Sequence, residues 1–409
     1  MFKIFFSIAA FIFASCSTNI HNNSTASGTA DTSSRPVETK SANTDYNPAF
    51  AGQTRIAGVN TNTAYEGRIL SHSLKRPWGI ALLPDGRLLI TEKGGTMRIA
   101  TTTGKLSESI TGIPTVNSGG QGGLLGITLD PQFVSNRMLY WVFSENTSQG
   151  NLTAVAKGSL SADERSIENA TVIYRATPAY KGNLHYGGRI LFDASGNLII
   201  STGERSDIET RPQAQDLTSA LGKIVRITTK NGDPAAGNPF IGRAGARSEL
   251  YSYGHRNVQG LAFHPETGDL WENEFGPRGG DELNLIKAGK NYGWPVISYG
   301  LEYNGQKVGT GISQRSGMEQ PVYYWDPVLS PSGMTFYSGG NMNEWKNNLF
   351  ITGLNSKHIA RLVIRNNKVV GEERLLAGEN QRFRDIIQGK DGAMYAVTDE
   401  GRLYRIGKQ

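Results

Sequence analysis

Residues 181–204 read KGNLHYGGRILFDASGNLIISTGE. A histidine, His185, stands in a loop punctuated by Gly182 and by Gly187-Gly188. An apolar alternation follows, then Asp-Ala-Ser-Gly-Asn, then Leu-Ile-Ile and a carboxylate, Glu204. Residues 189–192 and 198–202 read as two strands, because Ser195-Gly196-Asn197 supplies turn chemistry between them. The stretch is thus a loop that presents His185 and a β-hairpin that fixes the loop. The chain has six histidines, and one framed by glycines is a candidate acid/base group. A lone loop histidine is more commonly a surface or structural residue, so the pattern needs company.

The hairpin pattern recurs. An apolar alternation, a Pro/Asp/Gly turn and a second apolar run open at Gly79, Gly123, Gly188, Gly260, Gly333 and Phe383. The six occurrences are spaced by roughly 45–75 residues, the size of a four-stranded propeller blade plus a variable loop. No long stretch of helical period interrupts them. The expected fold is all-β, a six-bladed β-propeller of four-stranded antiparallel sheets, in preference to a large β-sandwich or two smaller barrels. Radial repetition leaves only short, protected strand edges. The long inserts 205–259 and 287–331 should lie on one face and build a ligand site.

Outside the repeats the chain changes character. Residues 1–16, MFKIFFSIAAFIFASC, have a basic n-region at Lys3 and an apolar run too short to span a bilayer, which reads as an export signal. Its end resembles a bacterial lipoprotein signal, with small residues before Cys16, so a lipid anchor to a membrane through Cys16 is expected. The alternative is an ordinary cleaved signal with an incidental cysteine. Cys16 is the single cysteine, so no intramolecular disulfide forms. Residues 17–50, rich in Ser, Thr and Asn, read as a flexible tether, and 51–409 as the propeller domain. The net charge is +6, but the basic residues are scattered, with no stripe interleaved with aromatics, which argues against a nucleic-acid partner.

Five segments do not look like strand filler: NSGGQGGLLG from Asn117, His185 with Glu204, YSYGHRNVQG from Tyr251, ENEFGPRGGDELNLI…NYGWP from Glu272, and QRFRDII from Gln381. Arg382 and Arg384 alternate along an incipient strand and so share a face. Each segment alone is weak. Together GQGGLLG, LHYGGR, GHRNVQGLAF, EFGPRGGDELN, NYGWP and RFRDII resemble, in order, the soluble quinoprotein glucose/aldose sugar dehydrogenases, which use pyrroloquinoline quinone (PQQ). The resemblance covers about residues 65–407, and that family is itself a six-bladed propeller.

The resemblance implies PQQ and Ca²⁺ as cofactors, aldose sugars as substrates and an unidentified electron acceptor. His185 matches the family's general base, which takes the proton of the anomeric hydroxyl while hydride passes to the quinone. Arg256 and Asn257 match the pair that contacts the quinone, where a cation stabilises developing negative charge. Gln121 matches a cofactor-binding glutamine. Lys357, Arg382 and Arg384 match cations that hold the cofactor's carboxylates, Lys357 in a loop whose wording differs from the family's. Gly276 and Pro277 match carbonyls ligating a calcium, and Glu282 with the Tyr292 carbonyl match a second, structural calcium site. Tyr303 is a further candidate to line the pocket.

Three departures bear on specificity. Leu184 stands where glucose-specialised members have Asp, Glu204 replaces the Asp partner of the histidine, and Phe275 replaces a polar residue. Fewer polar groups around the sugar relax hydroxyl-specific recognition, which favours a broad aldose dehydrogenase. Glu204 is one methylene longer than Asp yet can still orient His185. Two other classes fit the sequence less well. A non-catalytic propeller binding a glycan or protein would have no need for His185, Arg256 and the two arginines to converge. A calcium-dependent lactonase would need acidic metal ligands at the central channel, whereas the acids concentrate at Asp281-Glu282.

Overall fold

The computed structural model describes residues 35–409. The expected export signal with Cys16, and residues 17–34 of the expected tether, lie outside the described residues. Six antiparallel sheets succeed one another along the chain, giving the expected six-bladed propeller. The strand that opens each repeat lies innermost: Pro77–Leu82, Leu124–Leu129, Ile190–Phe192, Val258–Phe263, Pro331–Phe336 and Phe383–Gln388. These six touch one another in a closed ring around a central channel.

Five sheets have four strands and the first has three. Its fourth position is taken by residues 106–110, which pair with it at the isolated bridges Ala100↔Leu106 and Met97↔Ile110. The Ser107 hydroxyl accepts the Ile99 N–H at 2.9 Å, and this side-chain bond interrupts the ladder. The ring closes where Tyr65–Ser71 pairs antiparallel with Leu403–Lys408, so the sixth blade is built from both ends of the domain.

The burial pattern explains the sequence pattern. Second strands such as Leu88–Glu92, Leu349–Gly353 and Met394–Thr398 are buried along their whole length. Blades cover both of their faces, so they read as continuous apolar runs. The outermost strand Tyr65–Ser71 alternates instead, since one face meets solvent. Six apolar cores fill the gaps between neighbouring blades. Trp141 and Phe143 pack between the first and second, for example, and Trp271 and Phe336 between the fourth and fifth. Each such aromatic contributes roughly 1.5–3 kcal/mol through burial.

The hairpin at 189–202 forms as Ile190–Phe192 and Leu198–Ser201. Asp193 Oδ1 accepts the N–H groups of Ser195 and Asn197, both at 2.8 Å, and Gly196 takes φ 77°. The two long inserts meet over one face. Arg211 forms a bidentate pair with Glu302 (2.5 and 3.0 Å), and Gln215 Nε2 donates to Asn291 Oδ1 and to Trp294 O.

Residues 35–63 lie along the fourth and fifth blades. Asn43 N–H and Thr44 N–H donate to the Asp326 carboxylate at 2.8 and 3.0 Å, Arg55 Nη2 donates to Asp326 O, and Thr61 binds Glu373. Residues 35–50 of the expected tether are therefore held against the propeller by its own polar groups.

Candidate active site

The loop before the third inner strand carries His185 with φ 47°, a left-handed conformation uncommon for a residue with a side chain. Neighbours over-determine it. The His185 N–H donates to Gln121 Oε1 at 2.8 Å. From beyond the hairpin, Arg205 donates to Leu184 O at 3.0 Å and to Gly182 O at 2.5 Å. A Cβ at Gly203 would fall 2.2 Å from His185 O, so only glycine permits this approach.

The His185 ring is buried, and its Nδ1 lies 2.5 Å from Oε1 of the fully buried Glu204. A carboxylate only accepts, so Nδ1 carries the hydrogen and Nε2 the lone pair. Burial, and after it the nearby Arg256 cation, push the imidazole pKa down to about 4 against the opposing pull of Glu204. At neutral pH the ring is an uncharged base.

Arg256 and Asn257 adjoin this pair. Arg256 O accepts the Glu204 N–H at 3.0 Å, and Asn257 Oδ1 accepts the Gly187 N–H at 2.9 Å. The Arg256 guanidinium stands 5.1 Å from the Trp294 ring centroid. Arg256 Nε and Asn257 Nδ2 are buried donors without a partner, and Glu204 Oε2 is a buried acceptor without one. Orphaned polar groups are costly in a folded interior, and two neighbouring donors fit an acceptor-rich ligand.

Beside them opens a cavity of about 230 Å³. Gln121 and Gly187 line it, and so do Arg76, Lys93, Arg382 and Arg384. One carboxylate, Asp399, offsets these four cations, accepting from Arg382 Nε at 2.9 Å and Arg384 Nε at 2.8 Å. Burial first, then Arg76 and Arg384, bring the Lys93 pKa down to about 8. A cavity so charged suits a ligand bearing several carboxylates.

Phe275 lines this cavity and a second, smaller one. The second is walled by Arg256, Gly276, Pro277, Glu274, Glu282 and Tyr292, among others. Here two adjacent strands set Glu274 opposite Glu282 and Glu272 opposite Asn284. Burial and mutual repulsion push the Glu272 and Glu282 carboxyls well above the usual range. Glu274 Oε2 is satisfied by the N–H groups of Arg256 and Asn257, but Glu272 Oε2 and Asn284 Oδ1 are buried without partners. His255, Glu272 and Glu274 also bring potential ligand atoms within 4.8 Å of one another. Clustered, under-satisfied oxygens of this kind fit a hard cation such as Ca²⁺.

The structure therefore sets Gln121, Arg382 and Arg384 in the lining of one cavity, with His185, Glu204 and Asn257 joined to that lining through Gln121 and Gly187, and Arg256, Gly276, Pro277, Glu282 and Tyr292 around its neighbour. Two expected residues stand apart. Lys357 Nζ donates to Asn380 Oδ1 at 2.9 Å, and Leu354 from the same loop lines the cavity instead. Tyr303 is 72% exposed and lines neither cavity, because its loop is pinned by the Glu302 pair with Arg211.

The sequence model of the family described as glucose / sorbosone dehydrogenase matches residues 74–405. The chain belongs to the glucose/sorbosone dehydrogenase family. It is accordingly an oxidoreductase acting on sugar CH–OH groups. Among its relatives, the aldose sugar dehydrogenase YliI of Escherichia coli K12 is 40% identical over 343 residues, covering 83% of this chain and 91% of the relative. The crystal structure of the soluble aldose sugar dehydrogenase of Escherichia coli in its apo-form superposes with a TM-score of 0.80 at 39% identity, covering 85% of this chain and 100% of that one. The PQQ-bound form of aldose sugar dehydrogenase from Streptomyces coelicolor gives 0.70 at 30% identity, covering 85% and 99%.

For a glucose/sorbosone dehydrogenase the residues that sequence reasoning missed are informative. Arg76 and Trp78 stand in Lys-Arg-Pro-Trp-Gly at the start of the first repeat, and Lys93 directly follows a strand end. A cation at a strand end, beside a glycine and outside the apolar alternation, was the available signal. Asp399 carried none, since its role depends on pairing across the blade with Arg382 and Arg384.

Proposed function

We propose that the protein is a PQQ- and calcium-dependent aldose dehydrogenase that oxidises the C1 hydroxyl of cyclic aldoses to lactones, with aldose sugars as its substrates. The observation that carries this reading is the buried His185–Glu204 pair, its imidazole uncharged, beside a cavity lined by four cations. When bound, PQQ would supply a quinone able to take up hydride, and Ca²⁺ would polarise that quinone.

The chain's own groups do the rest. His185 Nε2 takes the proton of the C1 hydroxyl, and Glu204 fixes the tautomer and stabilises the imidazolium that forms. Arg256 and Asn257, with their unpartnered donors, hold the acceptor oxygens of the cofactor. Gln121 keeps the histidine loop in place through the His185 N–H. Arg382, Arg384, Lys93 and Arg76 hold the cofactor's carboxylates. Gly276 and Pro277 would ligate one calcium through their carbonyls, and Glu282 and the Tyr292 carbonyl a second. Leu184, 43% exposed beside the histidine, and Phe275 present apolar surface to the sugar, which favours breadth over glucose specificity.

Residues 1–16 would export the chain and Cys16 would anchor it to a membrane, with electrons passing to an acceptor outside the chain. Reconstitution of the purified protein with PQQ and Ca²⁺, assayed with a panel of aldoses and a dye acceptor, tests the reading. Sugar-dependent dye reduction that requires both additions supports it, and failure to bind PQQ rejects it.

A further inference from the structure

Two of the segments singled out in the sequence carry a charged residue that the proposed chemistry does not use: Arg189 closes LHYGGR, and Asp385 follows Arg384 in RFRDII. They find each other across the central channel. Arg189 Nη1 donates to Asp385 Oδ2 at 2.8 Å, with both side chains nearly buried. Asp385 Oδ2 also accepts the Ile80 N–H at 2.9 Å. Arg189 Nε donates to Gln259 O at 3.0 Å, and its guanidinium lies over the Trp78 ring, 4.5 Å from the centroid. One arginine thereby ties the inner strands of the first, third, fourth and sixth blades.

The place of this tie matters. Trp78, Gln259 and Arg384 line the cation-rich cavity. Further along the same strands lies a third cavity, of about 330 Å³, lined by Arg189 and Asp385 themselves. It takes one aliphatic side chain from each blade: Ile80, Ile127, Ile190, Leu261, Met334 and Ile386. The two cavities share no lining residue, and between them stand Arg189, Asp385, Trp78 and Gln259. The tie also reaches the reacting loop, since Gln259 Nε2 donates to Asn257 Oδ1 at 3.2 Å, and Asn257 Oδ1 holds the Gly187 N–H.

We infer that Arg189 and Asp385 form a septum across the propeller channel, closing the floor of the cofactor cavity and positioning Trp78 and Gln259 there. Both are positioning residues. The assignment of the cavity to PQQ rests on the function proposed above, whereas the septum itself does not. An ion pair at this point is an expensive way to fill space, because desolvation offsets much of the Coulomb attraction. Its geometry gives what an aliphatic plug could not. The planar guanidinium stacks on Trp78 while its donors fix Gln259 O and Asp385 in definite directions. With the floor shut, water cannot reach the cavity through the channel, which keeps the charges inside it strong.

The test uses the full chain. Arg189→Met alone leaves the Asp385 charge uncompensated in the interior, so the decisive variant is Arg189→Met with Asp385→Asn, which removes both charges and keeps an acceptor for the Ile80 N–H. Arg189→Lys retains the charge and loses the flat stack. The signal of Trp78, one of six tryptophans, is isolated by difference against Trp78→Phe. In the cofactor-free protein, acrylamide quenching of Trp78 should rise severalfold in the double variant and partly in Arg189→Lys, while quenching of the other tryptophans stays constant. PQQ affinity should fall about tenfold in the double variant. A folded double variant with unchanged Trp78 quenching overturns the septum. Absence of PQQ binding to the unmodified protein would instead reject the dehydrogenase reading, and the quenching result would still decide the septum.

Discussion

Nδ1 of His185 and Oε1 of Glu204 lie 2.5 Å apart although 19 residues separate them in sequence. The hairpin between them folds the chain back so that the loop bearing the proposed base and the carboxylate paired with it leave the same blade side by side. Arg205, next after Glu204, then bonds the carbonyl of Leu184 and closes the loop on itself. Histidine and carboxylate are thus one local unit.

Removing the base should remove the chemistry and leave the cavity. His185→Ala is expected to lower kcat by roughly 10²–10⁴, with PQQ affinity within about twofold of the unmodified protein in a fluorescence titration. Glu204→Gln deletes the interaction that raises the histidine's pKa. The acid limb of kcat/KM should therefore shift below pH 4 while kcat falls, because the imidazole becomes a weaker base. An unmoved acid limb in that variant would show that His185 does not set it.

Lys93 gives the cofactor cavity a second pH dependence of opposite sense. Its pKa of about 8 in the empty cavity means that it loses its charge as pH rises through that value. Affinity for a tricarboxylate ligand should decline above about pH 8, by up to roughly tenfold for the loss of one such contact. In Lys93→Met the affinity should be lower at neutral pH and flat across this range. Equal pH dependence in the two proteins would assign the titration elsewhere.

Two buried histidines should make the fold acid-sensitive. His185 and His358 both have pKa values pushed down to about 4, chiefly by burial. In the unfolded chain each titrates near 6.5, so between 6.5 and 4 the unfolded state holds more protons than the folded one. Stability contributed by their neutral state is full above about 6.5 and falls as pH drops toward 4, by about 3 kcal/mol for each group. His358→Asn should shrink the drop in Tm across that interval by close to half. An identical drop would mean that His358 is charged in the fold or accessible to water.

How much was legible follows from which contacts are local. The blades were readable because each repeat carries its own turn, as at Asp193–Asn197, and because strands covered on both faces are unbroken apolar runs. His185, Gln121 and the arginines could be singled out because they interrupt that pattern. The partnership of Tyr65–Ser71 with Leu403–Lys408 was not, since ring closure joins residues at opposite ends of the domain. Nor was the displacement of Lys357, whose ammonium is captured by Asn380, a neighbour no spacing rule supplies. Residues 35–50 read as tether because their composition is polar. Polar side chains can still be held where a carboxylate such as Asp326 waits for backbone N–H groups.

The carboxylates at the second cavity yield a prediction in which two stability curves cross. Glu272 and Glu274 are buried and Glu282 is half-buried beside them on two adjacent strands, and no basic side chain ion-pairs with Glu282 among the described residues. A bound Ca²⁺ would turn repulsion into coordination, and ligand present at about 100 times its Kd would stabilise the fold by about 2.7 kcal/mol. Chelation should therefore lower the Tm of the unmodified protein by several degrees. Glu282→Gln removes one of the crowded carboxylates. In chelator it should melt no lower than the unmodified protein, because a source of repulsion has gone. In excess Ca²⁺ it should melt lower, because a ligand has gone with it. The two proteins would then exchange order as calcium is added, and differential scanning calorimetry with and without EDTA reads this directly. A parallel response of both proteins to calcium would place the ion elsewhere and leave Glu282 without a role in binding it.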